Sequence, residues 1–396
     1  MIPWRKNNTE ASAAPATGAG HRYVFVSGHP RSGTNWVSSL LNLHPDCFCD
    51  GEFHFLILRW AMDGFTSLPW YLGALEPQKS VAEESFQQLV RNCLIERATI
   101  RCAGRASEKN PPRSVGVPGG PPPSVGVPGD PSRSAGVPGG RPRSVGVPGL
   151  PAVLGDHTPR LFRIMISPPE ARYIVIQRDG RDVLVSYTFH LLNTKAPDVI
   201  PEHIRAFFQA RVATLDGSAE AHVAAGVALL NHEPWVRHYA NFWSEHILHD
   251  HRIWQSVASQ GFGGYVKFVK YEALRADVEG VRREIYEHLG LEAGMAAGVS
   301  AETNTAPGFG GREDVKSFYR KGEAGDWRRY FPPEMGRWFQ ETAGAAMAGG
   351  GYEADGVWVG GIGTGIATDS QRVSARGAQT EPARVSTTTK KTVLNT

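Results

Sequence analysis

The stretch "RYVFVSGHPRSGTNWVSSLLNLHP" restricts the fold of this chain more than any other. Its first seven residues, Arg22–Gly28, are a short β-branched and aromatic run that ends in a glycine. "TNWVSSLLNLHP" then carries apolar residues at helical spacing (Trp36, Val37, Leu40, Leu41), and Pro45 marks an exit. Between the two, Gly28 and Gly33 keep the G-x-x-x-x-G spacing of a phosphate-binding loop, and Thr34 follows. A strand that turns through a glycine loop into a helix directs backbone N–H groups at an anion. Such units are built into parallel sheets, with the ligand at the strands' C-terminal ends.

Two further strands fit that class. "ARYIVIQRD" (Ala171–Asp179) reads as a buried strand, and "RDVLVSYTFHLL" after it reads as a helix with Asp179 as N-cap and Asp182 three residues on. "GGYVKFVKYE" (Gly263–Glu272) reads as another strand, followed by the helical "VRREIYEHLGL". Strands alternating with helices predict a three-layer α/β/α fold around a central parallel sheet, P-loop-like, in a single domain with a low-complexity insert. Three segments fall outside the domain. Residues 1–20 are rich in Ala, Thr, Gly and Asn, and the tail 347–396 is glycine-rich and then Ser/Thr-rich. The insert, 103–153, carries four copies of a ten-residue unit with V-G-V-P-G or A-G-V-P-G, which resembles elastin. Pro-Gly favours turns, and these segments hold too little apolar mass to keep one structure, so all three are expected to be disordered. The domain proper, 21–346, is then about 275 residues, an ordinary size.

The net charge of +3 suits an anionic ligand and does not call for nucleic acid. Cys47, Cys49, Cys93 and Cys102 have no C-x-x-C pair or accompanying His spacing, so they read as reduced thiols and no metal site is expected. With no secretory h-region and no apolar run of about 18 residues, a cytoplasmic protein without a membrane span is the expectation.

The glycine loop lacks the Lys that a nucleotide triphosphatase places after the second glycine; Thr34, Asn35 and Trp36 stand there instead. Its one cation, Arg31, lies between the glycines. ATP-driven phosphoryl transfer would therefore lose its central charge, which counts against a P-loop kinase. In "IQRDGRDVLVSYTFH", Arg178 closes a strand and Ser186 lies about two turns into the next helix, a spacing that can put a guanidinium and a hydroxyl on one phosphate. "FYRKGEAGDWRRYF" gathers Arg320, Lys321, Arg328 and Arg329 around Gly322 and Gly325, a basic loop able to wrap an anion.

Together these stretches resemble the sulfotransferases that use 3′-phosphoadenosine 5′-phosphosulfate (PAPS). "HPRSGTNW" is similar to that family's 5′-phosphosulfate loop, and "QRDGRDVLVSY" to its 3′-phosphate segment, with Gly180 in place of the usual Pro. "RKGEAGDWRRYF" matches the late R-K-G-x-x-G-D-W motif, and "VKYEALRADVEGVRREIYEHLGL" resembles the Y-E-D-L stretch. The resemblance implies transfer of a sulfuryl group from PAPS to a hydroxyl or amine of a small-molecule or carbohydrate acceptor, by direct in-line transfer with no obligatory metal. It implies that Arg31, Ser32, Gly33 and Thr34 hold the phosphosulfate, with Asn35 in place of the usual Thr. Arg31 would act as electrostatic stabiliser. Trp36 and Tyr271 would lie near adenine or pack in the core. Arg178, Ser186, Arg320, Lys321 and Gly322 would hold the 3′-phosphate. The general base falls at His157, in H-x-P register in "GDHTP", or at Asp156 if the stretch follows the [ED]-K-[TS]-P pattern of other branches. "SEKNPP" (Ser107–Pro112) is a second candidate for that pattern. A non-catalytic binding or scaffold protein with a decayed site is the competing reading from another class.

Overall fold

The computed structural model describes residues 20–67, 76–109, 149–299, 314–316 and 322–352. Five parallel strands form one sheet in the order β2-β3-β1-β4-β5. They are β1 (Arg22–Gly28), β2 (Cys47–Gly51), β3 (Val153–Thr158), β4 (Ala171–Gln177) and β5 (Val266–Lys270). The outer part of the stretch read as a strand from Gly263 is instead a short 3-10 turn, Gly263–Tyr265. Central β1 and β4 are apolar on both faces because helices cover both, as a parallel sheet requires.

On one face, Val24, Val26, Ile174 and Ile176 pack against α1 (Thr34–Leu41) and the later helix Val278–Leu289. On the other, Tyr23, Phe25, Tyr173 and Val175 meet α2 (Phe55–Thr66) and α3 (Glu76–Lys109). A third apolar cluster joins α4 (Gly180–Thr194), α5 (Glu202–Val212), α6 (Ala219–Leu230) and α7 (Glu233–Ala258). The remaining helices are α8 (Tyr271–Ala276), α9 (Val278–Leu289) and α10 (Pro333–Gly349), and α10 packs on α7. Two boundaries differ from the sequence reading: α3 continues to Lys109, past residue 103, and α10 runs to Gly349, past residue 347. Ala, Arg, Glu and Lys after Cys102 and Ala and Met before Gly349 are good helix formers, so composition alone does not mark where either helix stops. Most of the repeat lies outside the described residues.

The junction of β4 and α4 positions the site. Asp179 caps α4 by accepting the Arg181 N–H at 2.9 Å. Gly180 is required by close packing: a Cβ there would stand 2.5 Å from the Trp243 indole of α7. Proline, usual at this place in the resembling motif, would meet the same ring. Gly180→Ala is expected to destabilise the fold by about 1–3 kcal/mol, the range for overpacking, read as a lower urea midpoint. An unchanged midpoint would show that Trp243 moves aside freely.

Candidate active site

The loop between β1 and α1 has an unusual backbone. Arg31 and Gly33 both have left-handed backbones (φ 76° and 102°), a state that L side chains rarely adopt. A Cβ on Gly28 would lie 2.3 Å from the Ile176 carbonyl oxygen, and one on Gly33 2.9 Å from the Tyr271 ring. Gly33 starts α1 without a side-chain cap, whereas Asp179 and Ser218 cap α4 and α6. The first turn of α1 therefore directs N–H groups into the loop with no side-chain oxygen at its N-cap to receive them. Several buried polar atoms of the loop have no hydrogen-bond partner: Ser27 Oγ, His29 Nε2 and Ser32 Oγ. Orphans of this kind are rare in native proteins and call for a partner such as water or a polar ligand.

Residues distant in sequence meet over this loop. Arg31 Nε donates to Ser186 Oγ at 3.3 Å, so the loop cation and the α4 hydroxyl converge. Arg178 is buried, donates to the Arg31 carbonyl (3.2 Å) and to the Glu323 carbonyl (2.7 Å), and leaves its Nε unpaired. Its guanidinium lies 4.2 Å from the centre of the Tyr271 ring. Burial opposes this charge, but Tyr271, Asp182, Glu272 and Asp179 outweigh it and raise the Arg178 pKa further. Tyr271 donates its hydroxyl to the Gly322 carbonyl at 2.8 Å. Gly322 thus sits beside Arg178 and Tyr271; Arg320 and Lys321 lie outside the described residues. Trp36 is fully buried, edge-on to Tyr271 at 5.7 Å, in the core between α1 and the sheet. Thr34 is buried and Asn35 half-buried at the same helix start.

The late loop is clamped by a residue first read as part of a capping pattern. Asp182 does not close a capping box; its buried carboxylate accepts the N–H of Gly325 (2.7 Å) and of Trp327 (2.9 Å). Arg181 stacks 3.9 Å over Trp327 and pairs with Asp179 at 2.6 Å. Both acids of "RDGRD" therefore build the support for the Arg178 side of the site.

Sheet register separates the two candidate bases. Asp156 pairs with Phe25 and His157 with Val26, so their side chains leave opposite faces of β3. Asp156 lines a small cleft with Ser27, Phe55, Leu56, Thr158, Arg160 and Tyr173. Its oxygens accept the Phe53 N–H (3.1 Å) and the Thr158 hydroxyl (2.6 Å). Burial raises the pKa of this carboxyl above the ordinary value despite those bonds. His157 packs on the other face over Gly51, where a Cβ would come 2.5 Å from its Nδ1, and that nitrogen is buried without a partner.

Sequence reasoning missed the company Arg31 keeps. His190, one turn beyond Ser186, is held down to about 4 by burial and by the Arg31 charge. Tyr187 feels both Arg160 and Arg31, although burial dominates and raises it. The i, i+4 spacing of Ser186 and His190 on one helix was the available signal. The stretch 190–232 is largely helical, in the end of α4 and in α5 and α6, and "CDGEFHFLILRW" runs from β2 into α2. Among the described residues, no group of three or more His, Cys, Asp or Glu is placed to hold a metal ion. No described helix is long and apolar enough to cross a membrane.

The sulfotransferase domain model matches residues 21–351. Among solved structures, the chain is similar to retinol dehydratase in complex with androsterone and the inactive cofactor PAP, at 16% identity and a TM-score of 0.34, over 82% of this chain and 80% of that one. It is also similar to mouse sulfotransferase SULT7A1 complexed with PAP, at 16% identity and a TM-score of 0.34, over 87% of this chain and 90% of that one. No curated protein matches it.

Proposed function

The chain belongs to the sulfotransferase domain family, and from that premise we propose that it transfers a sulfuryl group from PAPS to a hydroxyl or amine of a small acceptor. The observation that carries the cofactor reading is the convergence of Arg31, Ser186 and Arg178 on a loop of orphaned polar atoms. PAPS, when bound, supplies the sulfuryl group on a 5′-phosphate together with a 3′-phosphate. Ser32, Gly33 and Thr34 are suited to the 5′ end, where α1 begins. Arg178, Ser186 and Gly322, with Arg320 and Lys321 by family resemblance, are suited to the 3′-phosphate. Arg31 stays charged at any working pH, so its part is to stabilise negative charge at the leaving oxygen, and not to give a proton.

Asp156 fits the base that takes the acceptor's proton. It stands in the cleft beside Ser27, at the end of the strand that enters the phosphate loop, and its raised pKa makes it a better proton acceptor than an ordinary carboxylate. Its neighbours Phe25, Phe55, Leu56 and Tyr173 are apolar, which favours an acceptor with an apolar body over a carbohydrate. A second reading keeps His157 as base, because its buried Nδ1 has no partner. The four cysteines are free thiols, two of them buried, which supports a reducing, cytoplasmic setting.

Calorimetry with adenosine 3′,5′-bisphosphate (PAP) and with ATP tests the cofactor. PAP is expected to bind at least about tenfold more tightly, since the 3′-phosphate adds charged hydrogen bonds of roughly 1.5–3 kcal/mol. Equal or reversed affinities would return the chain to the kinase reading. Sulfated product from labelled PAPS and a phenol or alcohol panel would then separate an enzyme from a scaffold.

A further inference from the structure

The Asp156 cleft carries charge among its apolar walls. Two arginines, Arg160 and Arg163, line it, and Asp156 is its one acid. The Asp156 oxygens go to the Phe53 N–H and the Thr158 hydroxyl, and neither arginine pairs with them. Arg163 is half-buried, and its Nε is shielded from water without a hydrogen-bond partner. Other arginines of this face are paired: Arg59 with Glu83 at 2.8 Å and Asp63 at 3.0 Å, and Arg91 with Glu170 at 2.7 Å. Asp63 and Asp250 act on Arg163 electrostatically, but Asp63 is held by Arg59, and Asp250 Oδ1 accepts the Phe162 N–H at 2.8 Å. Among the described residues, no acid forms an ion pair with Arg163.

The segment that carries Arg163 is irregular, yet it is fixed on both sides. Before it, Phe162 gives its N–H to Asp250, and its carbonyl meets His249 Nε2 at 3.2 Å. After it, the Tyr173 hydroxyl accepts the N–H of Met165 (3.0 Å) and of Ile166 (3.1 Å), and Gln87 Oε1 accepts that of Ser167 (3.0 Å). Phe162 and Ile166 are fully buried. The Arg163 backbone is therefore in place before any ligand arrives, which lowers the ordering cost of binding. Arg160, three residues earlier, is exposed and adds positive charge to the same cleft. A guanidinium with a buried, unpaired donor is costly to keep unless an acceptor meets it.

We propose that Arg163 determines acceptor specificity by receiving a carboxylate, so that the favoured acceptor is an apolar molecule bearing both a hydroxyl and a carboxylate. The proposal rests on the Asp156 cleft being the acceptor site. A guanidinium takes a carboxylate through two parallel N–H bonds, a geometry that an amide or ester cannot match in charge. Phe55, Leu56, Leu161 and Met165 line the cleft as well and suit the apolar body. With Asp156 ionised, the lining still holds one more positive charge than negative, so an acidic acceptor meets no net repulsion there. A neutral acceptor leaves the buried Arg163 Nε unpaired.

The test is calorimetry on the full-length chain saturated with PAP, which keeps acids out of the phosphate loop. The ligands are hydroxyphenyl-alkanoates of increasing chain length, each paired with its primary amide. Wild type is expected to bind the best acid at least about tenfold more tightly than its amide, the low end for a charged hydrogen bond. Arg163→Gln should remove that preference by weakening the acid and leaving the amide unchanged, and Arg163→Lys should keep only part of it. PAP affinity should be the same in all three chains, which also shows that the variants fold. In turnover with PAPS, the acid preference should lie in KM and not in kcat. Amides bound as tightly as acids throughout the set overturn the proposal, and so does an undiminished preference in whichever variant folds. Preferential binding of acids with no sulfated product sinks the transfer reading and upholds Arg163 as the anion site. A wild-type chain that binds no PAP sinks the cofactor reading, and the same comparison on the free chain and Arg163→Gln then decides.

Discussion

Asp156→Asn is expected to lower turnover by about 10²–10⁴, the usual worth of a positioned base, while PAP affinity stays close to wild type. The substitution keeps an oxygen for the Phe53 N–H and a polar partner for Thr158, so the local structure is retained and only the proton acceptor is lost. His157→Ala should be much milder, because that ring packs over Gly51 on the other face of the sheet. The pH profile carries a second signature. A base works only when unprotonated, so turnover should decline as pH falls through the Asp156 pKa. Burial raises that pKa, so the acid limb should lie above the ordinary carboxylate range. Asp156→Asn should abolish this limb along with the rate. Severe loss in His157→Ala with a mild Asp156→Asn would identify the imidazole as the base.

Arg178→Ala should weaken PAP binding by about 1.5–3 kcal/mol, the range for a charged hydrogen bond, or roughly 10–150-fold. Arg178 is a buried cation, and its unpaired Nε is a donor in reserve for an anion. Binding of adenosine 5′-phosphosulfate, which has no 3′-phosphate, should suffer far less. Some loss is expected there as well, since Arg178 also holds the Arg31 carbonyl and so shapes the phosphate loop. Arg178→Lys should not rescue PAP binding, because an ammonium cannot bridge the Arg31 and Glu323 carbonyls and still reach a ligand. Equal losses for the two ligands would place Arg178 in the scaffold of the loop alone.

Much of the molecule was legible from local pattern. The glycine spacing and the apolar runs of β1 and β4 identified a parallel sheet with a glycine loop at the C-terminal end of a central strand, because backbone geometry and burial act on neighbours in the chain. Asp179 as the cap of α4 was readable for the same reason. Strands β2 and β3 were not: "CFCDG" and "VLGDHT" are short, contain glycine and lie on the side of the sheet where the chain is interrupted. Their pairing is decided by contacts far apart in sequence.

At the site, sequence alone determined which charges the protein brings: Arg31 between two glycines, Arg178 at a strand end, Ser186 on the next helix. Only the tertiary structure decided how they are used. Register turned adjacent Asp156 and His157 to opposite faces, a consequence of strand periodicity that depends on which face meets which helix. The fold also made Asp182 the acceptor for the late loop, seated Trp36 in the core, and brought His246 of α7 beside the His29 ring. Each depends on segments tens to more than a hundred residues apart meeting at one point. Spacing and composition describe what a residue can do within a turn or two; its partner is set by the packing of the whole sheet.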